Sequence, residues 1–487
     1  MLEIRMTGHS HDYPVCDVVR LLTGVIPQSS EGHVSAQVPF DAVIESRVIP
    51  GKEVVTEVLS GFPDLPAEKR CIREMLLGPE NLVTKDGLPV SREVKRQLYA
   101  LLCDALDKKS PWGSLTGIRP TQVASELSGP SDLTRIYGVR EDKAKLAFAT
   151  MEGEEQVLSV SDPDSLHIYI GIPFCPSRCA YCSFVAQEAP RKRELLPAYV
   201  DAVLKEIDLV LPTISFPIET LYIGGGTPTV LDEELFSKLI KGVFSHEKLK
   251  DLKEVCVEAG RPDTITEGKL QTLLSCGITR ICINPQTLCN ETLARVGRKH
   301  TAEDFESAFA MAKKMGFSVI NTDLIAGLPG ESAEEFCESL RRIITLSPEN
   351  ITVHSLSKKR RSDLSREEIV RLEEEDLSKM EVMLGYSYRA LSEAGYKPYY
   401  LYKQKDTLGG HENVGYQKGD TPCIYNVAMM SDQRSVLSFG AGGMSKRIFP
   451  QDGNHVRIER CACIKEPTQY IRDVEEMAKK KISFFSE

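Results

Sequence analysis

From residue 166 onward the chain alternates short apolar runs with stretches of helical period. Six runs, at 167–172, 220–224, 254–259, 279–284, 317–324 and 350–355, are apolar almost throughout, as strands covered on both faces are. Helical patterns follow at 197–211, 232–244, 266–276, 302–315, 333–346 and 366–394. Six β-α units in a row predict a parallel sheet with helices outside it. Eight units close a (β/α)8 barrel, so six predict an open, partial barrel. The flanks read differently. Residues 1–160 mix a strand-like run at 33–49 with a helical one at 92–106, and a turn-rich block from Ser110 to Pro120 holds Trp112, the only tryptophan. The polar stretch 161–165 reads as a linker. Residues 395–487 carry Tyr396, Tyr399, Tyr400 and Tyr402, several glycines and a last helical pattern near 467–481. The predicted class is therefore α/β. A partial (β/α)6 barrel over 161–394 lies between an N-terminal α+β domain, 1–160, of unassigned role and a small C-terminal domain, 395–487.

Composition narrows the setting. Lys plus Arg number 60 against 70 Asp plus Glu, a formal net charge of -10, which argues against a nucleic-acid-binding design. No apolar run approaches the ~18 residues of a membrane span, and the first residues lack the basic-then-apolar pattern of a signal peptide. Most of the 14 cysteines stand singly in apolar stretches, as small core side chains of a reducing compartment do. A cytoplasmic protein with no membrane span and no nucleic-acid partner is the expectation.

The chemistry collects where parallel strands end, the place where such folds carry function. After the first run stands Cys175-Pro-Ser-Arg-Cys179-Ala-Tyr-Cys182, after the second Gly224-Gly-Gly-Thr-Pro-Thr229, and the third ends in Glu258-Ala-Gly-Arg-Pro-Asp263. Asn284-Pro-Gln286 closes the fourth, Asp323 and Gly327-Leu-Pro-Gly330 the fifth, and His354-Ser-Leu-Ser357 the sixth, before the basic run Lys358-Lys-Arg-Arg361. Iron–sulfur clusters are normally held by four thiolates. Three at the spacing CxxxCxxC leave one iron of a [4Fe–4S] cube open to a substrate or cofactor. A structural zinc site, the bland reading of the trio, wants four ligands and usually a second CxxC-type pair; Cys461-x-Cys463 is isolated.

These strings, with Tyr169-Ile-Gly-Ile-Pro-Phe-Cys175, Gly297-Arg-Lys-His300 and Asp323-Leu-Ile-Ala-Gly-Leu-Pro-Gly330, resemble the radical S-adenosylmethionine (SAM) enzymes of the oxygen-independent coproporphyrinogen III oxidase-like family. The likeness covers roughly 165–450, and the segment Leu115-Thr-Gly-Ile-Arg-Pro120 resembles its coproporphyrinogen dehydrogenase branch. The resemblance implies Cys175, Cys179 and Cys182 as ligands of a [4Fe–4S] cluster. It implies SAM contacts at Tyr169, Gly224, Gly225, Gly226, Thr227 and Glu258, with Tyr181 packing against the ligand. Gln286, Arg298 and Asp323 match contacts of a second SAM, and Ser357 and Met444 two further contact positions. The implied activity is oxidative decarboxylation of two coproporphyrinogen III propionates to vinyls, an oxidoreductase step of haem biosynthesis, with a flavodoxin or ferredoxin as reductant.

One departure matters. The oxidase proper carries a fourth Cys just beyond the third, where this chain reads Cys182-Ser183-Phe184. Relatives without it include haem chaperones and haem-degrading methyltransferases, so a haem-binding chaperone and a haem methyltransferase are the competing readings. Bland readings stand beside the sharp ones elsewhere as well. Asp323 with Arg298 could form a structural ion pair. The 358–361 run is either a solvated approach to a helix or a receiver for tetrapyrrole propionates. The tyrosines at 396–402 read as core.

Overall fold

The computed structural model describes every residue except 78–82, 85–87, 118, 183–185, 358–376, 405–406, 451–455 and 487. The basic run 358–361, the start of the long helical pattern at 366, Ile118, Ser183 and Phe184 thus lie outside the described residues. The chain forms two compact units: 1–151 with 403–405 and 409–411, and 152–402 with 406–408 and 412–487.

In the first unit, a seven-stranded sheet carries the helices Asp12–Thr23 and Val90–Leu106. Val15, Val18 and Val19 from one and Val94, Leu98 and Leu102 from the other join Leu2, Ile4, Ile44 and Val54 of the strands in one core. The run expected at 33–49 divides into His33–Ala36 and Ala42–Ile49. Pro39 stands between them and has no N–H for a ladder. Trp112 is fully buried. The Lys403 ammonium lies 5.4 Å from its ring centre and donates to the Leu115 carbonyl at 3.1 Å.

The second unit is built on one eleven-stranded sheet. We number its strands β1 (Leu166–Ile172), β2 (Ile218–Gly225), β3 (Glu254–Glu258), β4 (Arg280–Cys282), β5 (Val319–Ala326), β6 (Asn350–Ser355), β7 (Lys397–Lys403), β8 (Glu412–Gln417), β9 (Ser435–Phe439), β10 (Met444–Pro450) and β11 (Val456–Ala462). β1 to β6 run parallel in chain order, the predicted partial α/β barrel. Their near-continuous burial is what the apolar runs signalled. The intervening helices, Leu196–Val210, Glu233–Val243, Glu267–Ser275, Ala302–Met315 and Ala333–Leu346, fall within a residue or so of the predicted patterns. Thr301 and Ser332 start two of them with reciprocal capping boxes to Asp304 and Glu335, satisfying end donors that the helix itself cannot.

Two features depart from the hydrophobic pattern. The run at 317–324 becomes a strand only at Val319, because Gly316 turns left-handed (φ 99°) to cap the preceding helix and Phe317 N–H donates back to Ala312. The described residues of 395–487 do not form a sheet of their own. β8 pairs antiparallel with β6, β9 pairs parallel with β1, and β10 and β11 continue outward from β9. The polar stretch at 161–165 is a tethered turn: the Ser161 and Ser165 hydroxyls donate to the Glu219 carboxylate at 2.6 and 2.7 Å.

Candidate functional site

β1 delivers the cysteine loop. Pro173 ends its ladder, and Phe174, fully buried, packs edge-on against Tyr199 with ring centres 5.1 Å apart. Cys182 N–H donates to the Cys179 carbonyl at 3.0 Å, closing a turn. Ala180 N–H reaches the Val296 carbonyl at 3.0 Å, and the Ser177 hydroxyl the Gly297 carbonyl at 3.1 Å. The loop is thus held from the far side by the 296–297 turn. Cys179 is buried and Cys175 and Cys182 are half-buried, all as free thiols. Burial pushes the Cys175 thiol up to about 11, against a Thr227 hydroxyl 3.5 Å from its sulfur. Such a thiol keeps its proton until a cation displaces it. Among the described residues no three His, Cys, Asp or Glu side chains converge tightly enough to chelate one metal ion. Three thiols on one loop, flanked by donors aimed at sulfur, suit a cluster that spreads its corners among them.

The glycine run has a packing reason. Gly226 N–H donates to the Ile172 carbonyl and Thr227 N–H to the Phe174 carbonyl, both at 2.8 Å. A Cβ on Gly226 would stand 2.5 Å from the Phe174 oxygen, and Gly225 sits at φ 111°, where side chains are strained. These residues let the end of β2 close onto the backbone carrying Cys175.

Glu258 ends β3 beside that closure and accepts from the Tyr222 hydroxyl at 2.7 Å. Burial raises its carboxyl to about 7, the Tyr222 bond opposing and the Asp323 charge adding to the rise. Tyr222, Tyr169 and Tyr425 form an aromatic cluster, with ring centres 6.3 Å apart for Tyr169–Tyr222 and 4.8 Å for Tyr222–Tyr425. Tyr425 is held there by the Glu254 carboxylate, which accepts from the backbone N–H of Ile424 and Tyr425 at 3.0 Å each.

The next sector is equally fixed. Arg298, 6 % exposed, donates to the Tyr181 hydroxyl at 3.0 Å and to the carbonyls of Gly260 and Asn284 at 2.9 and 2.6 Å. Asp323 is held instead by the Asn321 amide at 2.7 Å and by His354, whose Nε2 lies 3.5 Å away. Burial would raise its carboxyl, but His354 and Asn321 together hold it below its ordinary value. The Arg298–Asp323 ion pair is therefore not what holds either residue. Gln286 sits at φ 71°, its N–H on the Asp323 carbonyl at 3.0 Å, and its buried Oε1 finds no partner. A strained backbone with an orphaned buried acceptor marks a place where a ligand could donate. Ser357 lies two residues past β6, bridged to Thr407. Met444 opens β10 with 38 % exposure.

Sequence reasoning passed over several of these partners. Tyr222 is hidden in an apolar run, and nothing in the Tyr425-Asn426 pair signals that Tyr425 stacks on Tyr222 and Tyr169. Tyr402, whose hydroxyl is 3.3 Å from His354 Nδ1, read as core. Arg261 was visible only as part of the Gly-Arg-Pro-Asp string.

The radical SAM superfamily signature matches residues 169–343. The oxygen-independent coproporphyrinogen-III oxidase-like protein HemZ of Bacillus subtilis is 37 % identical over 395 residues, 77 % of each chain. The heme chaperone HemW of the same organism is 35 % identical over 193 residues, 39 % of this chain and 49 % of that protein. The coproporphyrinogen III oxidase HemN of Escherichia coli, a radical SAM enzyme, shares the fold. It superposes with a TM-score of 0.53 at 22 % identity, covering 66 % of this chain and 72 % of its own. No helix among the described residues is long and apolar enough to cross a membrane. The chain belongs to the radical SAM superfamily, which works with a [4Fe–4S] cluster and SAM, and within it to the coproporphyrinogen-III oxidase-like family.

Proposed function

We propose that this protein is a cytoplasmic radical SAM oxidoreductase that converts two propionates of coproporphyrinogen III to vinyls without oxygen. Each step removes a hydrogen atom from the propionate β-carbon, then carbon dioxide and one electron, the electron passing to an external acceptor. The observation carrying the proposal is the convergence of the cysteine loop, the glycine closure, Glu258, Gln286 and Asp323 at consecutive strand ends. The name of the HemZ relative points the same way.

When bound, the cluster and SAM supply reductive C–S cleavage and hydrogen-atom abstraction, chemistry that belongs to the cofactor. Cys175, Cys179 and Cys182 would hold the cluster. Gly224, Gly225, Gly226 and Thr227 would shape the wall against the methionyl part of SAM, and Glu258 would accept from its amino or ribose donors. Tyr169 and Tyr181 would line the pocket on either side. Gln286, Arg298, Asp323, Ser357 and Met444 would border a second SAM or the tetrapyrrole. A flavodoxin or ferredoxin would deliver the electron.

A second reading, a haem chaperone that keeps the cluster, is favoured by the HemW relatives and by Phe184 standing where the oxidase has its fourth Cys. Anaerobic incubation with SAM, dithionite and coproporphyrinogen separates the readings. Vinyl product supports the decarboxylase. Tight haem binding without turnover supports the chaperone, and methyl transfer to haem would point to a methyltransferase instead.

A further inference from the structure

One side chain reaches a cysteine sulfur from outside the loop and has no assigned role. Arg261 follows β3 in the Gly-Arg-Pro-Asp string and is 3 % exposed. Its guanidinium nitrogens are divided among three partners. Nε and Nη2 fork onto the Asp263 carboxylate at 3.0 and 3.2 Å, and Nη2 also donates to the Ser177 hydroxyl at 3.2 Å. Nη1, the remaining corner, donates to the Cys179 sulfur at 3.7 Å. A planar fork gripped along one edge cannot rotate away, so the third nitrogen is held on the sulfur.

We propose that Arg261 sets the reduction potential of the cluster, with Asp263 as the residue that orients it; this rests on the assignment of Cys175, Cys179 and Cys182 as cluster ligands. Reduction adds negative charge to the cluster and its sulfurs. An N–H aimed at a ligand sulfur, carried on a permanent cation, stabilises the reduced form more than the oxidised one. Burial leaves that interaction weakly screened. Asp263 acts in the opposite sense, offsetting part of the guanidinium charge while fixing its direction. The pair makes the potential adjustable from both sides.

The opposition in sign is the test. The full chain and its Arg261→Gln, Arg261→Lys and Asp263→Asn variants are reconstituted anaerobically. Iron and sulfide are counted, and the cluster is titrated by EPR at poised potentials. Arg261→Gln lowers the reduced-to-oxidised ratio at the wild-type midpoint about tenfold, a fall of ~59 mV for a one-electron couple. Arg261→Lys falls less, and Asp263→Asn moves the midpoint upward. The proposal is overturned if iron-replete Arg261→Gln keeps the wild-type midpoint. It is also overturned if Arg261→Gln and Asp263→Asn shift the same way, or if all three variants merely lose iron, since a loop staple would do that. Wild-type protein that takes up no iron would instead sink the cluster assignment, and this inference with it.

Discussion

Glu206 and Lys481 form an ion pair sealed from water, with side chains 0 % and 1 % exposed. Its removal gives a sharp prediction. Glu206 accepts from Lys481 Nζ at 2.5 Å, from the Tyr470 hydroxyl at 2.7 Å and from Gly440 N–H at 3.0 Å. The pair thus ties the first barrel helix to the C-terminal helix Val474–Ser486 and to the turn after β9. Lys481→Met keeps the length of the side chain and deletes its charge. Glu206 is then a buried carboxylate with two neutral donors, which costs about 3–5 kcal/mol, roughly a hundred- to a few-thousand-fold in the folding equilibrium. With an m-value of about 3 kcal/mol/M, the urea midpoint drops by about 1 M or more. Adding Glu206→Gln removes the stranded charge while keeping an acceptor for Tyr470 and Gly440, so the double variant recovers most of the loss. Near-UV circular dichroism reports mainly the barrel unit, which holds most of the buried tyrosines, Tyr99 and Tyr137 lying in the other unit. Trp112 belongs to the other compact unit, so its fluorescence midpoint serves as an internal control that stays nearer wild type. A shift below about 0.3 M in Lys481→Met would refute the reasoning, as would a double variant less stable than the single one.

Cys179→Ala abolishes the brown iron–sulfur absorbance of reconstituted protein; an unchanged spectrum removes Cys179 from the ligand set. Gly226→Ala forces a Cβ against the Phe174 carbonyl and displaces Cys175, so iron bound per chain falls well below wild type while far-UV dichroism holds; full iron content would show that the closure tolerates a methyl group. Glu258 carries its pKa upward on folding, from 4.5 to about 7. Its folded state favours the protonated form, so this stabilisation is complete below pH 4.5 and is lost as pH rises through about 7. Urea midpoints of the ligand-free protein across that window should therefore slope downward, and Glu258→Gln should flatten the slope; parallel slopes would place the titration elsewhere.

Much of the barrel was legible because β1 to β6 are covered on both faces, which writes itself as continuous apolar runs. The strand-end residues were legible because parallel topology puts every run's last residue on one rim. β9 was not. Its five residues, Ser435-Val-Leu-Ser-Phe439, read like any short strand, and nothing local says that Leu166 is to pair with Ser435. The partners that hold the site were equally opaque. Tyr222 lies inside a strand run, so period alone cannot separate a site hydroxyl from a core ring. The Arg261 contact depends on how the cysteine loop folds back, which no spacing encodes. The ion pair imagined between Arg298 and Asp323 failed for a similar reason. Carbonyls at the ends of β3 and β4 already occupy the guanidinium, and His354 and Asn321 the carboxylate.

The pairing of β1 with β9 bears on how the protein is made. A ribosome adding about 5–20 residues per second leaves β1 with one edge bare for roughly a quarter of a minute to a minute while its second neighbour is synthesised. The anchor at Lys481 is synthesised later still. The cysteine loop, which follows directly from β1, therefore hangs from a strand flanked on one edge until β9 is made, and iron delivered before then meets a loop whose seat is incomplete.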